Sequence, residues 1–153
     1  MGGAGNLTSL RLGSDDSNSY TFGTITIQSG GTLEIDGNPS INSGNGGAAT
    51  LNVTSIDIQS GGTLKADSLG FPTPQGPGKA TGTADGGSYG GLGGDYQSNG
   101  GVGVTYGSIT NPIYLGSGGS GGTTAGGAII LSASGTVTAV SYTHLTLPTN
   151  REV

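Results

Sequence analysis

With 35 glycines among 153 residues and only 5% aromatics, the chain cannot assemble a compact core of large side chains, so repetition must supply its stability. Only Arg11, Lys65, Lys79 and Arg151 are basic and the net charge is −5, which excludes the clustered Lys and Arg that a nucleic-acid backbone requires. The absence of cysteine excludes disulfides and thiolate metal sites, glycine without a strict G-X-Y period excludes collagen, and no stretch approaches the roughly 20 apolar residues of a membrane helix.

From the amino end, MGGAGNLTS has neither a basic start nor an apolar run and does not read as a signal peptide. Asp15, Asp16 and Asn18 follow as a loose match to a calcium loop. They lack the spaced glycine and the bidentate glutamate, so a solvated turn is the favoured reading.

The next segment repeats. ITIQSGGTLEID at 25–36 returns as IDIQSGGTLKAD at 56–67, an offset of 31. In this register Tyr20 and Phe22 fall opposite Leu51 and Val53, Ile25 and Ile27 opposite Ile56 and Ile58, and Leu33 and Ile35 opposite Leu64 and Ala66. Apolar residues at period two predict strands with one buried face, and Gly-Thr after Phe22 and Gln-Ser-Gly-Gly after Ile27 predict turns. Three short strands per repeat are expected. Such a unit cannot bury its apolar face alone, but stacked on its neighbours at about 4.8 Å it builds a continuous hydrophobic column. The expected fold is therefore all-β, a right-handed parallel β-helix fragment whose end rungs stack on further rungs of the same chain.

Toward the carboxyl end, IILSASGTVTA at 129–139 predicts a third rung, with Ile129, Leu131, Val137 and Ala139 opposite Ile56, Ile58, Leu64 and Ala66, an offset of 73. The expected rungs are about 7–37, 38–67 and 128–139, with 68–127 as a glycine-rich insert. The insert reads either as a mobile loop or as a compact lobe packed on the column through Tyr89, Leu92, Tyr96, Tyr106, Ile109, Ile113, Tyr114 and Leu115.

Candidate chemistry is sparse. Glu34 stacks opposite Lys65 and Asp36 opposite Asp67; the second, like-charged pair could hold a cation such as calcium or share a proton, although capping of turn N–H groups is the favoured reading. Asp57 is the remaining carboxylate of the repeat. The glycine runs after Gly86 contain no GKS or GKT, so no nucleotide site is expected. Tyr89, Tyr96, Tyr106 and Tyr114 could stack on sugars if displayed together, with packing of the insert the favoured use. No catalytic, cofactor-binding or metal residue is assigned and no cofactor is expected.

IQSGGTL, GPGKATG, GGSYGGLGG, TYGS at 105–108, LGSGG and GGAIIL, in that order, resemble glycine-rich β-helix segments of large secreted or surface-anchored, adhesin-like bacterial proteins. The resemblance spans roughly residues 20–139. It implies an extracellular or cell-surface location and a non-enzymatic scaffold role, with loops that meet a partner such as a glycan. The alternative is a fragment of a carbohydrate-active β-helix enzyme, a polysaccharide lyase or hydrolase, whose catalytic rungs lie elsewhere. The ending is of another kind: VSYTHLTLPT resembles one translated frame of a transposase adapter used in sequencing libraries. Residues 140–153, including His144, the only histidine, are accordingly set apart from 1–139 as a non-native tail.

Overall fold

A computed structural model describes residues 9–13, 18–98 and 100–140. Asp15, Asp16, His144 and nearly all of the 140–153 tail lie outside the described residues. Within them the chain is built of strands and irregular loops, with helix confined to two 3₁₀ turns at Asn42–Gly44 and Tyr96–Ser98. The strands are β1 (Ser9–Leu12), β2 (Ser19–Ile27), β3 (Thr32–Ile35), β4 (Ala49–Ile58), β5 (Thr63–Lys65), β6 (Ile129–Ala133) and β7 (Val137–Ala139).

They form two parallel sheets, neither closed into a barrel. One is ordered β1-β3-β5; the other is ordered β2-β4-β6, with β7 also paired to β4. From β1 to β6 the chain visits the two sheets alternately, and each return lands beside the strand it left. The offset of 31 is realised in both sheets: Ile25 pairs with Ile56 and Ile27 with Ile58, while Leu33 pairs with Leu64.

Two strands serve each repeat, not three. The break expected after Phe22 is absent: β2 runs through Gly23, and β4 runs through Thr54. What happens there is a change of phase. Leu51 and Val53 face the core at odd numbers and Ile56 at an even one, so the inward side slips by one residue within a continuous strand. The hydrogen-bonded ladder outweighs the local turn chemistry of Gly-Thr.

The third pass also departs from expectation. Ile129 pairs with Ala49, Leu131 with Leu51 and Ala133 with Val53, an offset of 80; Val137 then pairs with Ile56 and Ala139 with Ile58, an offset of 81. The expected offset of 73 is wrong because Ser-Ala-Ser-Gly does not turn the chain into the other sheet. It adds one residue within the same ladder. The Ser134 and Gly135 amides donate to the Val53 and Thr54 carbonyls (3.1 and 2.8 Å), and the Ile56 amide donates to Thr136 (3.0 Å), in the manner of a β-bulge.

Between the sheets lies the core: Ile27, Leu33, Ile35, Ala49, Leu51, Val53 and Ile56, flanked by half-buried Leu12, Tyr20, Ile25, Ile58, Leu64, Ile129, Leu131 and Ala133. Burying each large aliphatic side chain stabilises by about 1.5–3 kcal/mol.

Segment 68–127 is a lobe without assigned strands; of the side chains expected to pack it Leu115 is buried, whereas Leu92, Tyr96, Ile109 and Ile113 are exposed. Its backbone groups pair with one another: Gly70 N–H with the Ala125 carbonyl (2.9 Å), Phe71 with Gly116 (3.0 Å), Ser88 with Gly78 (2.7 Å), and Tyr106 with Tyr89 (2.7 Å). Main chains approach too closely for side chains; a Cβ on Gly87 would run into the Ser117 carbonyl. Leu115, 1% exposed, anchors the lobe by packing on Gly46, where an added Cβ would sit 2.9 Å from it, and the Ala48 amide donates to the Ile113 carbonyl (2.8 Å). At the exit, Gly127 N–H returns to the Ala66 carbonyl (2.8 Å).

Candidate functional site

Apart from Asp57 on β4, the charged residues of the strands lie in the β1-β3-β5 sheet. Arg11, Glu34 and Lys65 occupy one register row, alternating in sign across the three strands. Lys65 pairs with Glu34 at 3.0 Å, as expected, while Arg11 reaches diagonally to Asp36 at 2.6 Å. The hydrogen bond to Asp36, with its charge second, raises the guanidinium pKa above its ordinary value.

This arrangement corrects the expected Asp36–Asp67 pair. The β3-β5 ladder ends at Glu34–Lys65, Asp67 is exposed in the turn beyond it, and the Asp36 carboxylate is engaged by Arg11. Among the described residues no group of three or more His, Cys, Asp or Glu is placed to hold a metal. Asn18, the described part of the loose calcium match, spends its side-chain N–H₂ on the Gly47 carbonyl (3.5 Å).

The outer side of the β2-β4-β6 sheet is polar and uncharged at its centre. Thr21, Asn52 and Ser132 stand in one register row, and with Phe22, Val53, Thr54 and Ser134 they line a shallow open cleft of about 240 Å³. Asn52 donates to the Ser19 hydroxyl (2.9 Å). Hydroxyls and an amide in such a cleft can exchange hydrogen bonds with a hydroxylated ligand; they offer no nucleophile–base pair.

Two of the lobe's four tyrosines are tied inward by their side chains. Tyr89 and Tyr106 meet edge to face, their ring centroids 5.0 Å apart at 70°. The Tyr89 hydroxyl accepts from the Tyr114 amide (3.3 Å). Gly78 N–H donates to Ser117 Oγ (2.9 Å), Ser117 donates to the Tyr106 hydroxyl (2.8 Å), and Tyr106 donates to the Leu115 carbonyl. Burial raises the Tyr106 pKa, against an opposing contribution from the Ser117 hydrogen bond. Tyr96 is 52% exposed and Tyr114 half-buried, and of the four rings only Tyr89 and Tyr106 are shown packed on each other.

Three polar side chains of the lobe are buried: Asp85, Ser88 and Ser117. Ser88 donates to the Gly103 carbonyl (2.6 Å) and accepts from Gly93 (3.0 Å), so its hydroxyl, like that of Ser117, is used in both directions. Asp85 is different. Its Oδ1 accepts from the Tyr96 amide (2.7 Å), while its Oδ2 is buried without a hydrogen-bond partner. Nothing in the sequence distinguished this aspartate, because Thr-Ala-Asp-Gly-Gly reads as one more solvated turn; its burial depends on Ser120, whose Oγ accepts from the Asp85 amide (2.8 Å) across 35 residues. Among the described residues no helix is long and apolar enough to cross a membrane. Compared with protein-family models, curated proteins and solved structures, the chain matches none of them.

Proposed function

We propose that the chain is a segment of a right-handed, glycine-rich parallel β-helix that serves as a non-enzymatic scaffold of adhesion type in a larger secreted or cell-surface protein. The observation that carries this reading is the repeated parallel register, β2 on β4 and β3 on β5 at one offset, with Ile25 over Ile56 and Leu33 over Leu64 around a shared apolar core. A unit that buries its core only by stacking extends by adding further units, which suits a stalk. Right-handedness rests on the rule for parallel crossovers. The polar cleft along Thr21, Asn52 and Ser132 supports a hydroxylated partner such as a glycan.

Shaving intact cells that express the gene with protease, and incubating the purified chain with polysaccharides, tests the role. Release of peptides from 20–139 with no new reducing ends is expected; retention in the cytosol, or sugar turnover, overturns it. The same proposal treats 140–153 as adapter-derived. Genomic reads across this point should diverge from VSYTHLTLPT and continue the 31-residue repeat, and a read that contains VSYTHLTLPT in frame refutes that part.

A further inference from the structure

The buried hydroxyls of the lobe are spent within it, those of Ser88 and Ser117 in both directions. Those on the outer side of the β2-β4-β6 sheet are not. Thr21, Thr24 and Thr26 on β2, Ser132 on β6 and Thr138 on β7 are exposed, and among the described residues their side chains make no hydrogen bond.

These groups stand in rows that cross the sheet. Thr21 pairs with Asn52 and Asn52 with Ser132; Thr26 pairs with Asp57 and Asp57 with Thr138. Between the two rows Thr24 pairs with Ser55, whose Oγ accepts from the Thr136 amide (3.4 Å). The one-residue slip of the inward side between Val53 and Ile56 is followed on both neighbouring strands, on the third pass through its bulge, so the outer rows stay aligned as the core does. Every position in these rows is Thr, Ser, Asn or Asp, short side chains that lose little rotamer freedom when a ligand fixes them.

Spacing gives the array a direction. Neighbouring strands lie about 4.7–4.9 Å apart, close to the pitch of one pyranose unit in an extended chain, whereas successive outward positions along one strand lie about 6.4–6.8 Å apart, which is not. A sugar chain laid across the strands therefore meets a hydroxyl or an amide at each unit. Where the row Thr21–Asn52–Ser132 opens into the cleft, Phe22, 39% exposed, adds an apolar wall for the C–H face of a sugar ring.

Charge narrows the ligand. Asp57 is the one ionised group in the rows, and the net charge of the chain is −5. The described cations lie elsewhere, Arg11 and Lys65 paired with acids in the other sheet and Lys79 exposed in the lobe. A uronate or sulfated polymer would meet like charge and no counter-ion on this face.

We propose that the outer side of the β2-β4-β6 sheet binds an uncharged, linear polysaccharide laid across the strands, with Thr21, Asn52 and Ser132 each meeting one sugar unit. This binding mode rests on the glycan reading of the cleft and adds the class of glycan and its direction.

Affinity electrophoresis of the full chain, in native gels containing a linear β-glucan, a mannan or an unsubstituted xylan and in a parallel gel containing polygalacturonate, tests it. At least one neutral polymer should retard the chain, and polygalacturonate should not. Calorimetric titration with oligosaccharides of that polymer should show affinity climbing from the monosaccharide to the trisaccharide, one unit per strand, and levelling off there. Thr21→Val combined with Ser132→Ala, both at exposed positions, should leave the melting temperature unchanged and weaken binding roughly tenfold or more. Tyr96→Ala, in the lobe, should bind as the wild type does. Retardation by polygalacturonate, by none of the neutral polymers, or equally for wild type and the double variant overturns the binding face. Shortening of the retarded polymer would instead overturn the non-enzymatic role and leave the binding face standing.

Discussion

Ile56 sits in the second sheet between Ile25 on one neighbouring strand and Val137 on the other, and it is 1% exposed. In so small a core few large side chains can relax into a vacancy, so Ile56→Ala should cost about 2–5 kcal/mol in urea unfolding. Its neighbour Asp57 points outward, with only a long contact from Gln59 (3.4 Å), so Asp57→Ala should change stability by no more than about 0.5 kcal/mol. Equal losses at the two positions would contradict the assigned inner and outer faces. Tyr106 gives a second test at this scale. Below the ordinary phenol value near 10, folded and unfolded chains both hold its proton and stability is full. As pH rises above that value the unfolded chain ionises first, because the folded pKa is raised, and stability falls until the folded phenol also ionises. Tyr106→Phe should therefore flatten the alkaline side of a melting-temperature profile, while costing about 1 kcal/mol at neutral pH for the hydrogen bonds to Leu115 and Ser117.

At the scale of elements, lobe and sheets should separate under mutation. Leu115 is the side chain that couples them, and Leu115→Ala should speed amide exchange through 70–125 while the β4 amides keep their protection, as measured by hydrogen–deuterium exchange. Loss of protection in β4 as well would mean that the two form one cooperative unit. The parallel pairing of β2 with β4 and of β3 with β5 was legible beforehand because period two and the exact return of IQSGGTL specify partners directly. The third pass was less so: Ser-Ala-Ser-Gly carries the same composition as a turn, and period-two patterning says which residues face inward without saying which strand they lie against. The lobe has no periodicity to read. Its order comes from main-chain groups that meet across tens of residues, such as Ala80 with Gly118 (3.3 Å) and Thr81 with Gly101 (2.7 Å), and the burial of Asp85 follows from those meetings rather than from its neighbours in sequence.

For the whole molecule, the ladder continues one residue beyond β7, where the Val140 amide donates to the Ile58 carbonyl (3.0 Å). A chain cut after Val140 should match the full chain in circular dichroism and in melting midpoint; a clear drop in the midpoint would show that 141–153 contributes to the fold. The path between paired strands varies far more than the pairing: successive returns come after 23 residues from β1 to β3, 31 from β2 to β4, and 80 from β4 to β6. The longest detour is clasped at its root, with Ala66 receiving Gly127 and Gly70 bonded to Ala125 (2.8 and 2.9 Å), so its entry and exit lie side by side. Because closure entropy grows only logarithmically with length, the cost of a detour depends only weakly on how long it is. The root at Ala66 and Gly127 is thus a grafting port, at which an unrelated folded module could be spliced in place of 70–125 without altering a single strand pair.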